Sequence, residues 1–265
     1  MIKECKEFLN ILGIPYVESL GEADPQCAVL SHYYQNYSIG TLSEDSDIIL
    51  NGGSILFRDL NIKDKTISMI EKKSIMEFLQ KKTDMITTEY ELETKIVTHE
   101  VFFNFCHILG NDYCNGIRCS GGTNRDELFK MFVLCNFDIY AFVHKIYELN
   151  KNSDKILYYM SEDFLLKWLM SKKTFEDTCV IHPDNINIYP NKLNKSKLNI
   201  FLKENEFRND MINKLINSVE NLYFNHSYNL YLENNNQLFA NELLSKDEDD
   251  WHVVINKKKR MVMCH

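Results

Sequence analysis

Two pairs of carboxylates constrain the fold of this chain more than any other feature of its sequence. Glu22 and Asp24 follow one short apolar run, and Asp45 and Asp47 follow the next. Each pair stands where a predicted strand ends and the next element begins. In an open α/β sheet, the carboxyl ends of the strands line the ligand crevice. We therefore expect the two pairs to meet at one edge, where their oxygens suit a hard cation such as Mg²⁺.

The spacing of apolar residues predicts an α/β fold in which helices alternate with strands of a parallel sheet. The predicted helices cover residues 1–12, 22–37, 74–82, 101–109, 124–134, 137–147, 162–170 and parts of 196–222. The predicted strands cover residues 14–18, 39–43, 54–58 and 66–70, and residues 48–50 form a buried segment. Gly13 should end the first helix, and Thr98 should cap the helix predicted at residues 101–109.

Composition excludes some classes of function. The chain has 265 residues and a net charge of −8, which argues against a protein that coats nucleic acid but not against an enzyme that grips phosphates locally. No apolar run is long enough to span a bilayer, so no membrane partner is expected. The eight cysteines form no Cys-x-x-Cys pair, and we expect reduced thiols in an intracellular protein. Cys114 and Cys119 with His107 have the wrong spacing for a zinc finger or ribbon.

Four short motifs follow one another in a set order along the first half of the chain. They are Leu12-Gly13-Ile14-Pro15-Tyr16, Gly21-Glu22-Ala23-Asp24-Pro25-Gln26-Cys27-Ala28, Ser43-Glu44-Asp45-Ser46-Asp47 and Ile108-Leu109-Gly110-Asn111-Asp112-Tyr113. Over about residues 1–150 the chain resembles the internal region of flap endonucleases. That family belongs to the structure-specific 5′ nucleases, which include the xeroderma pigmentosum group G nuclease.

This resemblance implies a partial parallel-sheet, PIN-like 5′-nuclease core at residues 1–97. A helix–turn–helix DNA-binding region would follow at 98–150, and a mostly helical C-terminal extension at 151–265. It also implies hydrolysis of phosphodiesters at DNA flaps and junctions, in replication or repair, with two Mg²⁺ ions for which Mn²⁺ can substitute.

The implied metal ligands are Glu22, Asp24, Asp45, Asp47 and Asp112, and Glu44 is left out because it should point elsewhere. A solvated acidic turn is the alternative for Asp45 and Asp47. For Asp112 the alternative is a turn-forming or helix-capping aspartate.

The same resemblance places a clamp on the DNA backbone at the turn before the helix at 124–134. The implied DNA-binding residues are Arg118, Gly121, Gly122, Thr123, Arg125 and Lys130. The usual Gly-Ile-Gly-Pro run of the family is replaced by Cys-Ser-Gly-Gly-Thr at residues 119–123, which puts the cation site of that turn in doubt. An ordinary turn between helices is the alternative interpretation.

The chain starts in the middle of the family pattern, before which relatives carry a first strand, further aspartates and a substrate-threading arch. We therefore expect a weak or inactive nuclease unless a separate N-terminal nuclease half is supplied. The alternatives are an inactive DNA-junction-binding protein and an unrelated Mg²⁺-dependent phosphatase-type domain.

The expected location is the nucleus or a viral replication site. Residues 237–239 lack the paired aromatics of a sliding-clamp-binding peptide. The basic run at 257–260 suits nuclear targeting, DNA contact or a solvated terminus.

Overall fold

The chain forms two compact units in the computed structural model. The first contains Met1–Ala23 and Val180–Glu248, and the second contains Asp24–Cys179 and Asp249–His265. The structure describes residues 1–36, 38–120, 124–188, 191–224 and 252–255. The sequence features noted at 237–239 and 257–260 lie outside these residues.

Helices outnumber strands among the described residues of both units. In the described part of the chain they are α1 (Ile2–Leu12), α2 (Ala23–Tyr33), α3 (Asp47–Leu50), α4 (Lys72–Glu89), α5 (His99–Leu109), α6 (Arg125–Leu134), α7 (Ile139–Lys151), α8 (Phe164–Glu176), α9 (Lys195–Glu204) and α10 (Asn209–Phe224), with a 3₁₀ turn at Pro183–Asn185. All the predicted helices are present. The one predicted at 74–82 extends from 72 to 89, and the buried segment at 48–50 is the short helix α3. No helix among the described residues has the length and apolar character needed to cross a membrane.

The strands form one mixed sheet and one small ribbon. They are β1 (Thr41–Leu42), β2 (Ile55–Asn61), β3 (Thr66–Glu71), β4 (Arg118–Cys119), β5 (Tyr158–Tyr159) and β6 (His252–Ile255). The sheet order is β1-β2-β3-β6, with β1–β2 and β3–β6 parallel and β2–β3 antiparallel. The sheet is therefore only partly parallel, because β2 and β3 are joined by a connection too short for a parallel crossover.

The predicted strand at residues 14–18 is wrong. Gly13 ends α1 in the left-handed conformation with φ 72°, and Ile14 N–H donates to the Leu9 carbonyl at 2.9 Å. The apolar run that suggested a strand is not buried, since Ile14 is 44% exposed. A Cβ at Gly13 would lie 2.0 Å from the Asn191 carbonyl oxygen, so the close approach of these two backbones requires glycine.

The first unit has a small core made by α1, α9 and α10. Its buried residues are Ile11, Leu12, Leu198, Leu202 and Ile212. Phe8 and Phe201 stack beside it with ring centroids 5.4 Å apart. The helical spacing of these residues brings one apolar stripe of each helix to the same centre.

The larger core belongs to the second unit. Helix α5 runs through it, since its residues from 101 to 108 are all buried. Phe105 packs edge-to-face on Phe129 of α6, with ring centroids 4.8 Å apart. Helix α3 and strand β2 contribute to this core through Ile48 and Leu56. The core therefore fixes the two segments that carry predicted ligands, the turn after β1 and the turn after α5.

Candidate metal and nucleic-acid site

The segment between β1 and α3 is an acidic turn, residues 43–47, built by its own side chains. Ser43 Oγ accepts a hydrogen bond from Asp45 N–H at 3.0 Å, and Asp45 Oδ1 accepts one from Asp47 N–H at 2.9 Å. Asp47 is the first residue of α3 and is only 8% exposed, whereas Asp45 is exposed. The backbone of the turn thus orients the Asp45 carboxylate, and Asp47 is held as the buried first residue of α3.

Strand β2 braces this acidic turn from the side. Glu44 Oε1 accepts a hydrogen bond from Asp59 N–H at 2.9 Å, so Glu44 faces the strand. Arg58 Nη1 donates to Ser46 Oγ at 3.4 Å, and Arg58 Nη2 lies 3.8 Å from Glu44 Oε2. The β2–β3 register shifts between Arg58 and Asn61, and such irregularities re-aim side chains. Sequence reasoning missed Arg58 because nothing in the sequence reveals this shift of register.

The first carboxylate pair lies at the start of α2. Asp24 is half-buried in the first turn of that helix, and Glu22 is exposed just before it. Glu22 belongs to the first unit and Asp24 to the second. One turn on, burial and then the nearby Asp24 charge raise the pKa of the Cys27 thiol. Both causes favour the protonated thiol.

Asp112 lies in the turn that follows α5. Thr98 Oγ1 accepts a hydrogen bond from Val101 N–H at 3.3 Å, as predicted for the helix N-cap. After the helix, Asn111 Oδ1 accepts hydrogen bonds from Tyr113 N–H at 3.0 Å and Cys114 N–H at 2.8 Å. Asn111 therefore fills the turn-forming role considered for Asp112, whose carboxylate is exposed.

The predicted ligands are hard oxygen donors of the type that Mg²⁺ prefers. Among the residues that the structure describes, however, no three His, Cys, Asp or Glu side chains lie together as a group that could hold a metal ion. The five predicted ligands have oxygen donors suited to a divalent cation, but in the described part of the chain no three of them lie close enough together to bind one. Ligand roles for Glu22, Asp24, Asp45, Asp47 and Asp112 therefore stay predictions.

His107 is a structural residue within the core. Its Nδ1 lies 2.9 Å from the Phe103 carbonyl oxygen, and its Nε2 lies 2.7 Å from Ser171 Oγ. Burial is the main cause that lowers the pKa of His107 to about 4. With both nitrogens engaged, this imidazole joins α5 to α8.

The predicted DNA-binding turn lies between β4 and α6. Arg118 is exposed on β4, and Arg125 is the first residue of α6. Gly121, Gly122 and Thr123 lie outside the described residues. Lys130 Nζ lies 3.1 Å from Glu89 Oε1 and 4.7 Å from the centre of the Tyr90 ring. Hydrogen bonds to these two residues, Tyr90 first, raise the pKa of Lys130.

The carboxylates in the first turn of α6 already have partners. Asn124 caps the helix, and its Nδ2 donates to Glu127 Oε2 at 3.1 Å. The Tyr158 hydroxyl donates to the other oxygen of Glu127, and Lys82 pairs with Asp126. Sequence reasoning missed Tyr158, because only the pairing of β4 with β5 brings it to α6.

Comparisons with known proteins show that this chain is similar in sequence to nucleases. The XPG I-region matches residues 13–112. Flap endonuclease 1 of Branchiostoma floridae is 30% identical over 185 residues, which cover 70% of this chain and 41% of that protein. Flap endonuclease 1 of Plasmodium falciparum is 30% identical over 222 residues, which cover 82% of this chain and 31% of that protein. The chain thus spans between about a third and two fifths of the length of these relatives.

Solved structures share the fold. Flap endonuclease-1 from Methanococcus jannaschii has a TM-score of 0.56 at 20% identity, covering 84% of this chain and 57% of that chain. The catalytic core of Rad2 in complex with DNA substrate has a TM-score of 0.58 at 18% identity, covering 82% and 68%. These matches confirm the predicted α/β fold class. The chain contains an XPG I-region at residues 13–112, and over a larger part of its length it is similar to flap endonucleases.

Proposed function

We propose that this chain is part of a structure-specific DNA nuclease of the flap-endonuclease type, acting in replication or repair. One observation carries the proposal. The XPG I-region match at residues 13–112 encloses all five predicted carboxylates, from Glu22 to Asp112. The substrate class would be DNA with flaps or junctions, and the site of action the nucleus or a viral replication site.

The proposed cations are two Mg²⁺ ions, with Mn²⁺ as a substitute, which would activate a water and stabilise charge on the phosphate. The chain's own contribution is the acidic turn, which contacts β2 through Arg58 with Ser46 and through Glu44 with Asp59 N–H. Because the described residues gather no group of three ligands, the proposal includes further ligands from elsewhere. A separate N-terminal nuclease half is one source of such ligands.

DNA contact is proposed for the region at 98–150, and the nuclease core for 1–97. Exposed Arg118 and half-buried Arg125 flank the turn whose glycines would approach phosphates. Lys130 is the weakest member of this predicted set, because Glu89 and Tyr90 already hold its ammonium group.

Cleavage of a labelled 5′-flap DNA by the full chain in MgCl₂ tests the proposal. We expect slow or undetectable cleavage by the chain alone, because the described residues gather no group of three metal ligands. Adding the N-terminal part of a flap endonuclease relative as a separate chain should increase the rate. Robust cleavage by the chain alone that is lost in Asp45→Ala would contradict the need for a second part and would support the nuclease assignment.

The second candidate is a non-catalytic DNA-junction-binding protein. The absence of a gathered ligand group among the described residues favours it. The two candidates differ in the effect of a carboxylate on DNA binding. In a binder without metal ions, a carboxylate near a phosphate only weakens binding, so its removal should tighten binding. If Asp45→Asn tightens flap binding and no added chain yields cleavage, the binder is the better account.

A further inference from the structure

The ribbon of β4 and β5 has two faces with different roles. Arg118 stands opposite Tyr159, and Cys119 stands opposite Tyr158. Directly opposed residues of an antiparallel pair project to one face, and the next residues along each strand project to the other. Tyr159 is 55% exposed and Arg118 is exposed, whereas Tyr158 is 5% exposed. The outer face therefore places a guanidinium beside a phenol.

Hydrogen bonds fix the ribbon in place. On the inner face, the Tyr158 hydroxyl donates to the Glu127 carboxylate at the start of α6. Asn150 Oδ1 accepts hydrogen bonds from Leu157 N–H at 2.9 Å and Tyr158 N–H at 3.0 Å, and Asn150 Nδ2 donates to the Tyr158 carbonyl at 2.8 Å. Ser120 N–H donates to the Leu157 carbonyl at 2.8 Å, which extends the pairing toward the predicted DNA-binding turn. These hydrogen bonds on the inner face therefore fix the position of Arg118 and Tyr159 on the outer face.

Two acidic residues at the start of α6 bear on whether the outer face can bind an anion. The two acidic residues in the first turn of α6 are both engaged, Asp126 with Lys82 and Glu127 with Asn124 and Tyr158. A phosphate approaching Arg118 therefore meets one carboxylate, Asp126, that is paired with a lysine, and a second, Glu127, whose oxygens already accept hydrogen bonds. Arginine and tyrosine side chains both donate hydrogen bonds to phosphate oxygens of DNA.

We propose that Tyr159 is a DNA-binding residue, whose hydroxyl donates to the same backbone phosphate of duplex DNA that Arg118 binds. Tyr158 is a positioning residue that holds the ribbon against α6. This inference rests on the proposed function and deepens it, since it names a contact outside the family motifs. The Tyr159 hydroxyl acts on a phosphate, so it contributes affinity without reading sequence.

Fluorescence anisotropy with a labelled 5′-flap duplex tests this inference in EDTA, where no metal-dependent cleavage occurs. Tyr159→Phe should weaken binding by the full chain roughly tenfold, because it removes one hydrogen bond to a charged group. Arg118→Gln should weaken binding and lower the slope of log K against log salt by about one, whereas Tyr159→Phe should leave the slope unchanged. The double variant should lose less than the sum of the single losses, because both residues bind one phosphate.

Tyr147→Phe is the matched control, since Tyr147 is 52% exposed on α7. It should bind as the unaltered chain does. Unchanged binding by both Tyr159→Phe and Tyr159→Ala, with weaker binding by Arg118→Gln, would overturn the role of Tyr159 and leave the proposed function standing. An equal loss in Tyr147→Phe would also overturn it. Failure of the unaltered chain to bind flap DNA would overturn the proposed function and this inference together.

Discussion

At the scale of single residues, His107 makes stability depend on pH. Its pKa is lowered to about 4 by burial, from an ordinary value of 6.5. Between these values the unfolded chain binds a proton that the folded chain does not, so folding is opposed as the pH falls. The stabilisation is fully present above pH 6.5 and is lost progressively toward pH 4. The difference in pKa corresponds to about 3 kcal/mol.

Urea unfolding between pH 4 and 7 measures this effect. His107→Gln removes the titrating group, so this variant should be less stable at pH 7 but should lose less stability on acidification. His144→Gln is the control, because His144 is exposed on α7 and should retain the full pH dependence. An identical pH dependence in His107→Gln and the unaltered chain would show that other groups cause it.

Adjacent tyrosines in β5 provide a second test at this scale. Tyr158→Phe removes the hydroxyl that donates to Glu127, and should lower the free energy of unfolding by about 1–2 kcal/mol. Tyr159→Phe should leave that free energy unchanged, because Tyr159 is mostly exposed. Chemical denaturation of both variants makes the comparison. Equal stability of the two variants would contradict the inner-face role of Tyr158.

At the scale of elements, the acidic turn depends on strand β2. Arg58→Ala removes the contacts with Ser46 and Glu44, so amide hydrogen exchange should become faster at residues 43–47. Lys73→Ala is the control, because Lys73 forms an exposed ion pair with Glu77 in α4, away from the acidic turn in sequence. Exchange measured by mass spectrometry should change in the first variant alone. Unchanged exchange at 43–47 in Arg58→Ala would mean that the turn holds its conformation without the strand.

Elements with local signals were predictable from the sequence, and those set by tertiary pairing were not. Helix α5 has an N-cap at Thr98 and a continuous apolar pattern, so its position is confirmed to within two residues. The strand predicted at 14–18 failed because an apolar run cannot reveal whether a partner strand exists. For the site, the sequence identified the acidic segments, but the roles of Arg58 and Tyr158 depend on a register shift and a strand pairing. Neither has a signature in the local sequence.

At the scale of the whole molecule, the net charge of −8 means that any attraction to DNA must be local. The positive groups predicted for that contact lie in the second unit, around the turn between β4 and α6. Four of the five predicted metal ligands belong to the same unit. The proposed chemistry and the proposed DNA contact therefore share one core, although the described residues gather no complete metal group.

We propose that the carboxylates of the XPG I-region bind divalent cations. Thermal unfolding in rising MgCl₂, at constant ionic strength, tests it directly, because a ligand that binds the native state raises Tm. We expect Tm to rise for the unaltered chain and for Glu44→Gln, whose side chain faces β2. The double variant Asp45→Asn, Asp47→Asn should show no rise. An equal rise in that double variant, or no rise in the unaltered chain, would contradict the claim.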